Sequence, residues 1–412
     1  MDLQEQLGQL RRKIARIDRK YAAPSEPRAP ASGFHSEPVT LLGGHEVPTP
    51  LGKHWEMERT WHRNQRHGSI GIADLADLPE DLLEAISDGT VERVSPLRWA
   101  FLDTETTGLA GGSGTYAFLI GVGRIAPEGF HLTQFFMRDY GEEPSLLHAL
   151  AGHLAQFEVL VTYNGKIYDQ PLLETRYRMA RARPPFERMA HVDLLYGARR
   201  LWKLRFESCR LVELEGQILG VEREGDLPGE MIPYVYFEYL RTKEASRLVP
   251  IFHHNALDIL TLACLTAIVP WAFRAPAEAP LQHGAELVGL GRWLRRAGRL
   301  DDALALFRRA VEKRLSDELL FRTLWDIADL EKRAGQRDAS LAVLADLAAS
   351  RNPFRAAALE ELAKHYEHRE KNCALALEMT LAALKVNDTA ALRHRRERLE
   401  RKLAGAKNQR LL

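Results

Sequence analysis

The chain has 412 residues, 45% of them hydrophobic and 27% charged, with a formal net charge of +1. That length fits two to three domains, and the balance excludes a chain disordered throughout. Apolar runs shorter than the ~20 residues that span a bilayer, charges throughout Met1–Lys20, and only Cys209, Cys264 and Cys373, far apart, exclude a membrane span, a signal core, a zinc ribbon and a disulfide framework, and predict a cytoplasmic protein.

Over residues 1–22, Leu3, Leu7, Leu10, Ile14, Ile17 and Tyr21 recur at alternating steps of four and three, which predicts an amphipathic helix. At about three heptads it is marginal alone, so it docks on its own chain or on a second copy. Residues 23–50 hold six prolines and read as a linker, and 51–96 as an extension of the domain that follows. Over 97–275 strands are expected at Leu97–Glu105, Tyr116–Ile125, His131–Met137 and Val159–Tyr163, with another ending near Asp193. Helices are expected at Ser145–Gln156 and Gln170–Ala182, so the fold class is α/β, a mixed sheet with flanking helices. Over 280–405 the chain is Ala/Leu/Arg-rich, and the Arg-Ala-Gly segment at 296–307 recurs at 333–344, with a weaker copy from Cys373. Spacing near 34 residues resembles tetratricopeptide repeats, a plain helical bundle being the alternative. Two basic runs stand out: ten Arg/Lys against three acids over 176–210, and eight against two over 393–410. Such faces suit nucleic acid, although solvated surface gives the same pattern.

Three motifs carry chemistry. Phe101–Gly108 ends an apolar strand in Asp103-Thr104-Glu105, and side chains two apart share a face, so paired carboxylates stand at a strand end. Hard oxygen donors of this kind suit Mg²⁺ or Mn²⁺. In Thr162–Asp169 a buried strand turns into a helix at Asp169, which suits a ligand or merely a helix cap, and Asn164-Gly165 suits a turn. In Phe252–Ile259, His254 and Asp258 are four apart on one helical face, an arrangement suited to proton abstraction from a metal-bound water. His191-Val192-Asp193 and Gly111–Gly114 read as structural rather than as an extra ligand and a phosphate cradle.

Together and in this order the motifs resemble the DEDD family of 3′–5′ exonucleases, which have the ribonuclease-H-like fold. The stretch Cys209–Gly220, with Arg223 and Asp226–Pro233, narrows the resemblance to bacterial YprB-like exonucleases, also called mitomycin repair factor B type. Those proteins carry a proline-rich N-terminal extension and C-terminal tetratricopeptide-like repeats. The resemblance implies two metal ions held by Asp103, Glu105, Asp169 and Asp258, with a histidine as general base. The five-step spacing usual in the His subclass would select His253, but residues four apart are separated by about 40° around a helix and five apart by about 140°, which favours His254. The resemblance further implies substrate contacts at Thr106, Thr107 and Asn164 and a nucleic-acid substrate, DNA over RNA, in DNA repair. A ribonuclease or a catalytically silent adaptor are the alternatives. No Gly-x-x-x-x-Gly-Lys-Ser/Thr loop occurs, so duplex opening would need a helicase or repair partner, bound through the repeats.

Overall fold

The computed structural model describes residues 43–87, 89–108 and 114–409. The expected N-terminal helix, most of the Pro-rich segment and Gly111–Ser113 lie outside them. The strands are β1 (His45–Thr49), β2 (Gly52–His62), β3 (Arg66–His67), β4 (Ile70–Gly71), β5 (Trp99–Thr106), β6 (Ala117–Ala126), β7 (Gly129–Phe136), β8 (Val159–Thr162) and β9 (Ala190–Asp193). Seven form one mixed sheet in the order β1-β2-β7-β6-β5-β8-β9, while β3 and β4 make a small hairpin. The meander β5-β6-β7 is antiparallel, β8 joins β5 in parallel and β9 joins β8 in parallel. This is a ribonuclease-H-like sheet, as expected.

The linker expected over 23–50 is shorter than that: its last residues are strand β1, paired with β2 from His45↔Glu56 to Thr49↔Gly52. Pro48 is tolerated because β1 is an edge strand and needs no outward donor. The extension over 51–96 supplies β2, which pairs with β7 from Trp55↔Phe136 to His62↔Gly129.

Helices α1 (Glu143–Leu154), α2 (Asp169–Met179), α3 (Leu194–Trp202), α4 (Ile232–Thr242) and α5 (Val249–Arg274) flank the sheet. Alternation along β5 sends Trp99 and Phe101 into one core and Ala100 and Leu102 into the other. Tyr236 of α4 stacks on Phe118 at 3.9 Å in the second core. Helix α5 packs on the Trp99/Phe101 face. Its segment is the one helix among the described residues long and apolar enough to cross a membrane, but 72% of its most apolar window is buried inside the protein, which accounts for its composition. Close approach is allowed by Gly121, whose side-chain position would lie 2.2 Å from Ile259 Cδ1 and 2.4 Å from Asn255 Oδ1.

A run of helices completes the chain: α6 (Gly284–Arg296), α7 (Leu300–Val311), α8 (Asp317–Arg333), α9 (Arg337–Ala349), α10 (Arg355–His368), α11 (Cys373–Val386) and α12 (Ala390–Gln409). The repeated Arg-Ala-Gly ends α6 and α8, where Gly298 and Gly335 have φ of 80° and 79°. Arg299 N then bonds Leu294 O at 2.9 Å and Gln336 N bonds Glu331 O at 2.9 Å, the Schellman closure that favours glycine. The basic run beyond Arg393 is in part internal. Arg395, Arg398 and Lys402 reach the buried Glu367 of α10 at 2.8, 2.7 and 2.8 Å, so these cations fasten α12 rather than face outward as a nucleic-acid surface.

Candidate active site

The end of β5 presents Asp103 and Glu105 on the face covered by α5, and the register shifts between Glu105 and Thr106, so regular pairing stops just past the carboxylates. Asn255 of α5 donates from Nδ2 to Asp103 Oδ2 at 3.0 Å and to Asp103 O at 3.3 Å. Buried Gln134 of β7 fixes that amide, donating to Asn255 Oδ1 at 2.8 Å and to Phe252 O at 2.9 Å. Thr104 donates to Asp169 Oδ1 at 2.6 Å, tying the first residue of α2 to the same strand end.

His254 and Asp258 lie one turn apart on α5. His254 Nδ1 is 2.9 Å from both oxygens of Asp226, and its Nε2 is 3.6 Å from Asp258 Oδ2. Arg223 is buried between acids: Nη2 donates to Asp258 Oδ1 at 2.6 Å, Nη1 to Asp226 Oδ2 at 3.2 Å, and Nε to Glu215. Buried Glu215 also accepts from Thr261 at 2.6 Å and meets His67 at 3.0 Å. The charge–hydrogen-bond chain Glu215–Arg223–Asp226–His254 thus fixes the side of the site opposite β5. His253 points elsewhere, its Nδ1 3.5 Å from the Arg59 guanidinium on β2.

The electrostatics are those of crowded anions. Burial pushes the Asp103 carboxyl well above the usual range, and the charges of Asp258, Asp169 and Glu105 add to this. Burial pushes Glu105 up to about 8, opposed by His254 and reinforced by Asp258, Asp169 and Asp226. Asp169 rises to about 6 through burial, despite its bond from Thr104. For His254 burial works downward, but the Asp226 bond and the charges of Asp258 and Glu105 prevail and lift it to about 9.

The three motifs therefore meet, and the structure brings Asp103, Glu105, Asp169, His254 and Asp258 within electrostatic reach of one another. Of the expected substrate contacts, Thr106 Oγ1 donates to Gly108 O at 2.9 Å and Thr107 Oγ1 accepts from Tyr116 N at 3.0 Å, so both hydroxyls take part in the turn. Asn164, at φ 70°, lines an open cavity. Asp193 accepts from the backbone N–H groups of Asn164 (2.8 Å), Lys166 (3.2 Å) and Leu195 (3.1 Å), a structural role. Sequence reasoning assigned no role to Thr104, Asn255, Arg223, Asp226 or Glu215. A buried-looking Asn on the helix face next to His254 was the available signal for Asn255. Arg223 pairs locally with Asp226 and Glu215, but what ties them and Thr104 to the site are contacts 28 to 65 residues away, from Asp226 to His254, Arg223 to Asp258 and Thr104 to Asp169.

Four carboxylates, all hard oxygen donors, with Asp103 and Glu105 raised by burial and by the charges of Asp258 and Asp169, fit divalent cations. Among the described residues no three His, Cys, Asp or Glu side chains stand grouped as a ready-made metal cluster.

Residues 100–269 match the RNase_H superfamily. The chain is also similar to "Uncharacterized protein YprB" of Bacillus subtilis (strain 168), 33% identical over 310 residues, which cover 73% of this chain and 74% of that one.

Proposed function

Because this chain belongs to the RNase H superfamily, in one family with the Bacillus subtilis protein, we propose that its nuclease site is that of a 3′–5′ exonuclease working with two divalent cations, Mg²⁺ or Mn²⁺. One observation carries this reading: the strand-end pair Asp103/Glu105, the helix-start Asp169 and the helical pair His254/Asp258 converge so closely that the charges of Asp258 and Asp169 add to burial in raising both Asp103 and Glu105. Asp103, Glu105, Asp169 and Asp258 would hold the cations, the carboxylates turning inward to do so. Bound there, a cation pair supplies a more acidic water and electrophilic stabilisation of the phosphodiester. His254, oriented through Nδ1 by Asp226, takes the proton of the attacking water at Nε2. Arg223 holds Asp258 in place, donating from Nη2 to its Oδ1.

A general base works in its neutral form. His254 stands at about 9 with the carboxylates uncompensated, and neutralising Asp258 and Glu105 moves it back towards its ordinary value of about 6.5. Activity therefore rises with pH between those limits, and a rate that falls over that range would remove His254 from the role.

We further propose DNA as the favoured substrate, in repair, with RNA as the second reading. Residues 97–275 are the nuclease domain, and 280–405 tetratricopeptide-like repeats that hold a helicase or repair protein. The deciding experiment follows 3′- and 5′-end-labelled single- and double-stranded DNA, with RNA in parallel, in Mg²⁺ or Mn²⁺, comparing wild type with Asp103→Ala. Mononucleotide release from 3′ ends, lost in the variant and on chelation, is expected. Binding without hydrolysis on every substrate would instead make the chain a nucleic-acid-binding adaptor.

A further inference from the structure

Seven of the ten cations in the basic run over 176–210 fall into two sets. Arg176 is bonded to Glu143, Arg178 to Glu174 and Arg205 to Glu286, and Arg200 stacks on Trp293. Arg199, Lys203 and Arg210 are exposed and form no ion pair among the described residues. All three line one open cavity of about 440 Å³, reached by the acid Glu207 and floored by Tyr163 and Asn164. Tyr196, 44% exposed, stands at the i, i+3, i+7 spacing with Arg199 and Lys203, so the three form one stripe along α3. The loop that leaves the cavity at Asn164 carries Ile167 (60% exposed) and Tyr168 (57% exposed) immediately before Asp169. Asp193 clamps both walls, since it accepts from Asn164 and Lys166 of the loop and from Leu195 of α3.

Lys203 Nζ donates to the carbonyl oxygen of Glu207 at 3.0 Å. Three cations against one acid along a groove, with solvent-facing aromatic rings beside them, match a backbone of phosphates with unstacked bases. A paired duplex offers no free base faces to the rings. We propose that this face, α3 with Arg210 and the Asn164–Tyr168 loop, is the track for a single-stranded polynucleotide. Arg199, Lys203 and Arg210 bind its phosphates, Tyr168 and Tyr196 stack on its bases, and the strand end is delivered to Asp169. The proposal rests on the nuclease reading and names its substrate as a single strand with at least several nucleotides bound beyond the scissile bond.

The test is fluorescence anisotropy of the full chain, in chelator so that nothing is hydrolysed. The probes are fluorescein-labelled oligothymidylate and oligouridylate of about 20 nucleotides, and the same DNA as a duplex. Titrations run between about 50 and 200 mM salt. The double variant Arg199→Ala/Lys203→Ala is expected to weaken single-strand binding about tenfold and to lower the salt slope by about 1.4, two phosphate contacts at ~0.7 each. Tyr168→Ala is expected to lose at least about fivefold with the salt slope unchanged, which separates stacking from charge. Arg333→Ala, a cation paired with Asp329 on α8, is expected to change neither. Equal loss on both oligomers means that the track reads backbone and stacking alone, and a loss confined to one names the sugar it prefers. An unchanged slope in the double variant at wild-type melting temperature overturns the proposal, as does absence of wild-type binding or duplex binding tighter than single-strand binding. Binding that depends on Arg199 and Lys203 without any hydrolysis in Mg²⁺ or Mn²⁺ would sink the nuclease reading and leave the track standing.

Discussion

Two adjacent histidines separate cleanly once their partners are seen. His254 sits between Asp226 and Asp258, whereas His253 faces Arg59, and burial, helped by the Arg59 charge, keeps it below its ordinary value. His254→Asn is therefore expected to lower kcat by about 10²–10⁴, the usual worth of a general base, and His253→Asn to leave it within a few-fold. Steady-state kinetics on a 3′-labelled strand checks both, and the reverse ranking would transfer the role to His253. Asp226→Asn keeps a hydrogen-bonding group at His254 but removes the charge, so the rise of activity with pH should begin at lower pH than in wild type. This part of the site was only half legible. Asp103 with Glu105, and His254 with Asp258, could be paired from the sequence because backbone geometry alone puts residues two apart on a strand, or four apart on a helix, on one face. Asn255 reaches Asp103 across 152 residues, and no local pattern announces such a partner.

Elements meet where glycine permits it. At Gly121, opposite Asp103 in the sheet, an added methyl would collide with Ile259 and with the Asn255 amide that holds Asp103. Gly121→Ala is expected to cost about 1–3 kcal/mol by overpacking and, by displacing α5, to reduce activity more than the loss of folded protein explains. Thermal melts beside specific activity separate these effects. In the helical run, Gly298 and Gly335 have positive φ with no atom near the missing side chain, so Gly335→Ala isolates backbone strain, about 1 kcal/mol. Lys371, at φ 57°, takes a similar left-handed position between α10 and α11 without being glycine. Lys371→Gly is expected to be neutral or stabilising, and a drop in melting temperature would show that the lysine side chain is needed there. The strands and helices expected between Leu97 and Asp193 were readable to within a few residues from alternation and turn residues. Strand β1 was not, because three of its five residues are exposed and a proline lies among them, the marks of an edge.

Across the whole molecule, Glu367 holds the last helix. Bonds and charges from Arg398 and Lys402, outweighing burial, bring its carboxyl down to about 2. A depressed carboxylate contributes stability that is present above its unfolded value of about 4.5 and lost as pH falls through about 2. Glu367→Gln is thus expected to melt below wild type near neutrality, by roughly 2 kcal/mol, with the gap closing as pH falls from 4.5 towards 2. A gap independent of pH would locate its cause in packing instead. The net charge of the basic tail was legible, but its direction was not, since only the fold shows which cations turn inward.

The principal core does not stop at the end of α5. It runs from Trp99 and Phe101 through Leu201 and Trp202 to Leu290, Phe307 and Leu330. Gly289 of α6 lies so near the end of α3 that a side chain there would come within 2.5 Å of Arg200 O. The nuclease part and the first helices of the array therefore cannot be traded as interchangeable cassettes. A recombinant joining this half to a foreign helical array would have to inherit α6 to α8 with it, together with the α9 face that packs Val343 on the same core.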